Sequence, residues 1–352
     1  MASRDRTLLQ ASALVLAVTV VLSVALTVLH VPSAVLFGSL IGGMAHALTS
    51  PRALALPAWA FRTGQGLIGI TIGSLVSLST LADLGPALLP IAAVTLGTVA
   101  VSLAAGRVLA LRDDVSRVTG AFAMIAGGAS GVVAVARDLG ADDRVVTIVQ
   151  YLRVFVVLVT MPLVTVAVFH PDHGLGTFEV GGASLPADLT YTALALAAGL
   201  ALARAVPFST ATLLGPLAVA IALTATGWWG EPTVPTVLQW LAYGLIGVQV
   251  GLRFTRASLA SIARMLPVVL VIIAAMIAAT ALMGALLAWL TPVDGLTAYL
   301  ATTPGGLFAV LATAADSGSD VTYVMTVQLF RLLVILAFTP LLARWLRARA
   351  GR

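Results

Sequence analysis

Four side chains in this 352-residue chain stand where polar groups are expensive. They are Gln150 with Arg153 and Gln328 with Arg331, each pair three residues apart inside an apolar run. That spacing puts both members of a pair on one helical face. Each arginine lies roughly two to three turns into its run, too deep for comfortable snorkelling, so it needs an anion, either a protein carboxylate or a ligand. A glycine pair precedes each of them, Gly127–Gly128 and Gly305–Gly306, with hydroxyls nearby at Ser130, Thr302 and Thr303. The carboxylates in reach along the chain are Asp138, Asp142, Asp316 and Asp320. Two chemistries follow. The aspartates can clasp the arginines as structural ion pairs, or serve in ion coupling while the arginines, glutamines, glycines and hydroxyls bind an anionic, carboxylate-bearing solute.

These residues belong to a duplication. Shifted by 178 residues, the stretch Thr119 to Pro162 falls without a gap on Thr297 to Pro340, so that Arg153 meets Arg331 and Asp138 meets Asp316. The match extends outward: VLFGSLIGG from Val35 pairs with TLLGPLAVA from Thr212, and GLIGITIG from Gly66 with GLIGVQVG from Gly244. Chance apolar similarity would not align prolines, aspartates and arginines together. The chain therefore divides into a first membrane repeat over 1–168, an extracytoplasmic linker over 169–188 and a second membrane repeat over 189–352.

The elements that must position these side chains are membrane helices. The chain is 60% hydrophobic and 9% charged, against roughly 25% charged in a soluble domain, which implies an all-α polytopic membrane protein. The absence of cysteine excludes disulfides, thiolate catalysis and cysteine-ligated metals. All 19 basic residues are arginine, and their dispersal through loops records topology rather than a nucleic-acid partner. His30 and His46 fall at span ends, and His170 and His173 in the linker. No Ser/His/Asp cluster or metal-ligand spacing supports an enzyme, so no cofactor and no metal is expected.

Arginine placement also orients the spans. If each glycine segment enters and leaves on one side, starting from a cytoplasmic N-terminus, every loop arginine falls in the cytoplasm. If both segments crossed fully, Arg137, Arg144, Arg204, Arg253, Arg256 and Arg264 would move outside, against the positive-inside rule. The expected architecture is two inverted repeats with about ten transmembrane helices and two re-entrant or broken glycine-containing segments. The chain is then a multi-pass protein of the cell membrane with both termini cytoplasmic. A turn inside the bilayer needs backbone conformations that glycine supplies, and the half-helices after each pair, starting near Ala129 and Leu307, point free amides at the site.

The two copies of GG followed by QxxR, set in TTPGGLFAVLATAADSGSD from Thr302 and VQLFRLLVILAFTPLL from Val327, resemble the duplicated AbrB-type membrane protein family over essentially the full length. That family carries the label ammonia monooxygenase in some names and is linked by name to regulation of gene expression. At clan level it resembles inverted-repeat secondary transporters, in whose relatives GG motifs lie in re-entrant loops, and the resemblance implies this for Gly127, Gly128, Gly305 and Gly306. Leu307 and Phe308 depart from it, because the acidic residue and methionine expected there are absent, which argues against proton or sodium coupling at that position. The expected activity is secondary transport of a small anion, with H+ or Na+ both open as coupling ion. A membrane-embedded regulator is the alternative, and an integral oxygenase comes last. Expected partners are the lipid bilayer and a small-molecule solute, with homodimerisation open.

The topology is testable because the chain is free of cysteine. Single cysteines at Ser258 and Gly176 are expected to react with an impermeant maleimide from opposite sides of the membrane, the former from the cytoplasm. Labelling of both from outside would overturn the inverted arrangement.

Overall fold

A computed structural model describes residues 2–29, 31–50, 54–76, 85–125, 136, 139–170, 184–205 and 211–350. Gly127, Gly128, Ser130 and Asp138 lie outside the described residues. Among the described residues the regular structure is helical throughout: α1 (Ala2–Val28), α2 (Ala34–Thr49), α3 (Ala58–Leu75), α4 (Leu88–Leu109), α5 (Arg117–Met124), α6 (Asp143–Val164), α7 (Leu185–Arg204), α8 (Ala211–Ala225), α9 (Thr236–Gly251), α10 (Arg256–Ser261), α11 (Leu266–Leu290), α12 (Gly295–Thr302), α13 (Leu307–Asp316) and α14 (Val321–Ala350). Four of them are long and apolar enough to cross a bilayer, Leu88–Leu109, Asp143–Phe169, Leu185–Arg204 and Leu266–Leu290, and further apolar helices are shorter. A helix closes its own backbone hydrogen bonds, which is what an open chain requires in hydrocarbon. The protein is a helical membrane protein.

The local signals are readable. Ser116 caps α5 by accepting from the Thr119 amide at 3.1 Å, and Asp294 caps α12 by accepting from the Thr297 amide at 2.9 Å. These two caps are also 178 residues apart. Pro162 stands inside α6, and the helix goes on as a π turn over Thr165–Phe169, a common response to a missing backbone donor. Gly140 and Gly318, again a matched pair, adopt φ of +73° and +72°, a left-handed turn that glycine enters without steric cost.

The chain forms two compact units, and each draws on both sequence halves. The first comprises Met1–Leu78, Pro162–Leu259 and Leu311–Val321, and the second Ser79–Met161, Ala260–Val310 and Thr322–Arg352. In the first unit α2 packs on α1 and α9, and α8 packs on α7 and α3. Glycine sets the spacing. A Cβ on Gly247 would lie 2.3 Å from the Leu36 carbonyl oxygen, and one on Gly251 2.1 Å from that of Leu40. The same contacts recur between α3 and α8, where a Cβ on Gly69 would lie 2.3 Å from the Leu213 carbonyl oxygen and one on Gly73 2.7 Å from that of Leu217. Numbers rise together in both pairs, so α9 runs parallel to α2 and α3 parallel to α8. With no hydrophobic drive between helices in lipid, such close backbone approach is the main source of packing energy.

The second unit is built around α4 and α11, which pack on each other and on the short helices α5 and α12 respectively. Gly106 of α4 meets the Gly120 carbonyl of α5, and Gly284 of α11 meets the Thr302 hydroxyl and the Ala298 carbonyl of α12, with Cβ distances of 2.6, 2.7 and 3.1 Å. Its core includes Leu109, Phe122, Met124, Val149, Ile273 and Ile335.

The α2–α9 seam predicts a sharp contrast. Gly251→Ala should cost about 1–3 kcal/mol through overpacking, read as a lower unfolding midpoint in detergent. Gly244→Ala, with nothing within 4 Å of the added carbon, should leave the midpoint unchanged.

Candidate functional site

The second glycine segment is a broken helix. α12 ends at Thr302, Thr303 to Gly306 carry no helix, and α13 starts at Leu307, where sequence reasoning set the half-helix. Pro304 and Ala309 are buried, while Gly305 to Phe308 between them are half-buried, so the break is open at its tip. Ala309 and Val310 donate to the Gly306 carbonyl at 3.0 and 3.1 Å, and the amides ahead of them have no intrahelical acceptor. The glycines serve differently from expectation. Neither is among the left-handed residues, which are Ser33, Gly140, His170, Gly227, Gly230 and Gly318. Gly305 is there for space, since a Cβ would fall 2.9 Å from Val157 Cγ1 and 3.1 Å from Val310 Cγ2; at Gly306 a Cβ would make an ordinary 3.5 Å contact with Val154.

A helix that stops in a membrane interior exposes its last carbonyls, and the buried Gln/Arg pairs take them up. Gln328 Nε2 donates to the carbonyls of Leu300, Ala301 and Thr303 at 2.9, 3.2 and 3.1 Å. Arg331 Nη1 donates to Thr303 at 2.9 Å and Thr302 at 3.5 Å, and its Nη2 to the Gln328 side-chain oxygen. The first half repeats this. Gln150 Nε2 donates to the Phe122 carbonyl and Arg153 Nη1 to the Met124 carbonyl, both at 2.8 Å. Phe122 matches Leu300 and Met124 matches Thr302 under the same 178-residue shift. The negative ends of α5 and α12 thus supply part of what the guanidiniums require.

Part remains unmet. Arg153 and Arg331 are 4% and 6% exposed, and each is close enough for its charge to act on the other. Within the described residues, every hydrogen bond they make goes to a carbonyl or amide oxygen, so Arg331 forms no clasp with Asp316 or Asp320. Arg153 Nε and Gln150 Oε1 are buried and have no hydrogen-bond partner among the described residues. Among the described residues, the two like charges are answered by dipoles, and a buried charge without a counter-charge is costly.

The other expected residues among those described make the following contacts. The Thr302 and Thr303 hydroxyls donate back into α12, to Ala298 at 3.1 Å and Tyr299 at 2.7 Å. Asp142 caps α6, accepting from the Arg144 and Val145 amides at 3.0 and 3.1 Å, and Asp320 directly precedes α14. Asp316 is buried, and accepts from Ser33 Oγ at 2.7 Å and from the Tyr243 hydroxyl at 3.5 Å. Ser33 and Tyr243 were not legible as partners, because their ring of contacts closes across 283 and 73 residues of sequence. Away from the site, on the loop after α4, Arg112 grips Asp114 through two bonds of 2.9 and 3.0 Å. That pairing holds the Asp114 carboxyl below its ordinary range and raises Arg112, with little consequence for stability at an exposed position.

With this geometry in place, the comparisons with known proteins bear on it. Residues 35–347 match the family model described as "Transition state regulatory protein AbrB". A protein of Escherichia coli (strain K12) titled "Putative regulator AbrB" is 32% identical over 338 residues, covering 95% of this chain and 96% of its own length. One from Bacillus subtilis (strain 168) titled "Uncharacterized protein YhjN" is 24% identical over 292 residues, 79% of this chain and 76% of its own length.

The capping arrangement predicts that Gln328→Leu, which leaves the Leu300 and Ala301 carbonyls short of a donor while Thr303 keeps Arg331, lowers stability by about 1–2 kcal/mol. The measurement is thermal unfolding in detergent, and Gln150→Leu, with one bond lost, should fall less.

Proposed function

Since the chain belongs to the AbrB family, we propose that it is a secondary transporter that moves a small, carboxylate-bearing anion by alternating access. The observation that carries this reading is the buried pair Arg153 and Arg331, each within reach of the other's charge and bonded within the described residues to uncharged oxygens alone. A solute carboxylate would supply the missing negative charge, and the free amides at the start of α13 would receive it. Broken helices whose ends face a polar site near the bilayer midplane are the parts that alternating access uses. The solute would be read by Gln150, Arg153, Thr303, Gly305, Gly306, Gln328 and Arg331, with Gly127, Gly128 and Ser130 entering from the first glycine segment.

The parallel pairing of α2 with α9 supports inverted repeats. If α2 runs inward, α9 does too, and an odd number of crossings must separate them. The five helices α3, α4, α6, α7 and α8 meet that parity, which fits a reading without a further crossing at the first glycine segment, itself outside the described residues. The bond from Arg256, after α9, to the Leu48 carbonyl at the end of α2 supports the same side for both ends. On this reading the chain has about ten crossings and two re-entrant segments, an extracytoplasmic linker over 169–188, and both termini in the cytoplasm.

A second reading, a membrane-embedded regulator, is favoured by the names of the family and of the Escherichia coli relative. The same site would then bind the anion and signal without moving it.

Uptake separates the two. Purified protein in liposomes should accumulate at least one of radiolabelled lactate, succinate or citrate. Arg153→Gln and Arg331→Gln, which keep a donor for the helix carbonyls but remove the charge, should abolish uptake while eluting as folded protein. Binding of these acids without uptake would favour the regulator, and full uptake by both variants would sink the anion site.

A further inference from the structure

Asp316 is the last residue of α13, the half-helix whose other end opens at the glycine pair. It is 7% exposed. A carboxylate there is badly placed to stay charged, because it is desolvated and lies at the negative end of its own helix. Its partners are neutral donors. Ser33 Oγ donates at 2.7 Å, and the Tyr243 hydroxyl stands at 3.5 Å. The titratable group facing it is Tyr243, from α9. Among the described residues it is met from the α2 side by the Ser33 hydroxyl, and no guanidinium bonds to it.

Ser33 is itself distorted. It is the N-cap of α2, yet it adopts φ 56° and ψ 36° and makes no capping bond with its side chain. An N-cap serine ordinarily takes an extended conformation and accepts from its own helix. Here the hydroxyl is turned to Asp316, and left-handed backbone in a residue with a Cβ is a sign of functional strain. The charged carboxylate is what this geometry serves. A neutral acid accepts more weakly, so it would relax the hold on Ser33.

We propose that Asp316 is a proton-binding site, charged while it grips Ser33 and neutral when that grip is released, and that the proton is the ion coupled to solute movement. The coupling clause rests on the transporter reading, whereas proton binding stands without it. Protonation is local: the carboxylate takes one proton from water, and its bond from the Ser33 hydroxyl weakens. Asp316 ends the helix that starts at Leu307, next to the glycine pair.

The test uses full-length protein in lipid. Infrared difference spectra between alkaline and acid buffer should contain the carbonyl stretch of a buried carboxylic acid, and Asp316→Asn should remove it. Ser33→Ala, which deletes one donor to the charged form, should bring the band in at a pH higher by about one unit. An identical band in Asp316→Asn, no such band in the wild type, or a band displaced by added sodium chloride rather than by acid would overturn the proposal. In proteoliposomes, succinate uptake by the wild type should acidify or alkalinise entrapped pyranine, and Asp316→Asn should lose that signal. Should the wild type transport none of the tested acids, the transporter reading falls, while the infrared comparison still decides proton binding.

Discussion

A helix that ends inside apolar surroundings leaves its last carbonyls without donors, and the second unit depends on how those of α5 and α12 are satisfied. Water is not available to them, and each orphan would cost a substantial part of the stability a membrane protein has. Gln150 and Arg153 serve α5, and Gln328 and Arg331 serve α12. The solution has a side effect. It brings two guanidiniums into a buried space where, among the described residues, the groups that answer them are dipoles. The broken helix and the buried charge are one device.

Close backbone contact is the second constraint. Gly247 and Gly251 let α9 lie against α2, and Gly69 and Gly73 let α3 lie against α8. Each of these seams joins a helix of one sequence half to a helix of the other. The compact units therefore cut across the duplication, and each is made from matched pieces. Gly106 and Gly284 do the same for the short helices, holding α5 and α12 against α4 and α11 so that their carbonyl ends meet the Gln/Arg pairs. Any side chain at these positions would push apart the elements that place the site.

Asp316 ties α13 to the start of α2 and α9 through Ser33 and Tyr243. Its equivalent by the 178-residue shift is Asp138, whose environment lies outside the described residues. The matched aspartates Asp142 and Asp320 sit at the starts of α6 and α14, and Asp142 visibly caps its helix. Carboxylates that look interchangeable in sequence thus differ in place: Asp142 caps a helix, whereas Asp316 is a buried acid bonded by neutral donors.

The amino-acid sequence by itself determined the membrane class, the duplication, the start of α13 at Leu307 and the shared helical face of each Gln/Arg pair. These follow from composition and from spacing along one helix, which are local quantities. It also singled out the buried arginines as costly. Only the tertiary structure decided what they bond, because the carbonyls of Thr302 and Thr303 carry no side-chain signature and become partners once two elements are folded together. The same holds for Gly305, chosen for the space beside Val157 rather than for a left-handed turn, and for Ser33, whose contact with Asp316 spans 283 residues. Chain-distant contacts are set by packing geometry, and spacing along a sequence does not encode which backbone oxygen will need a donor.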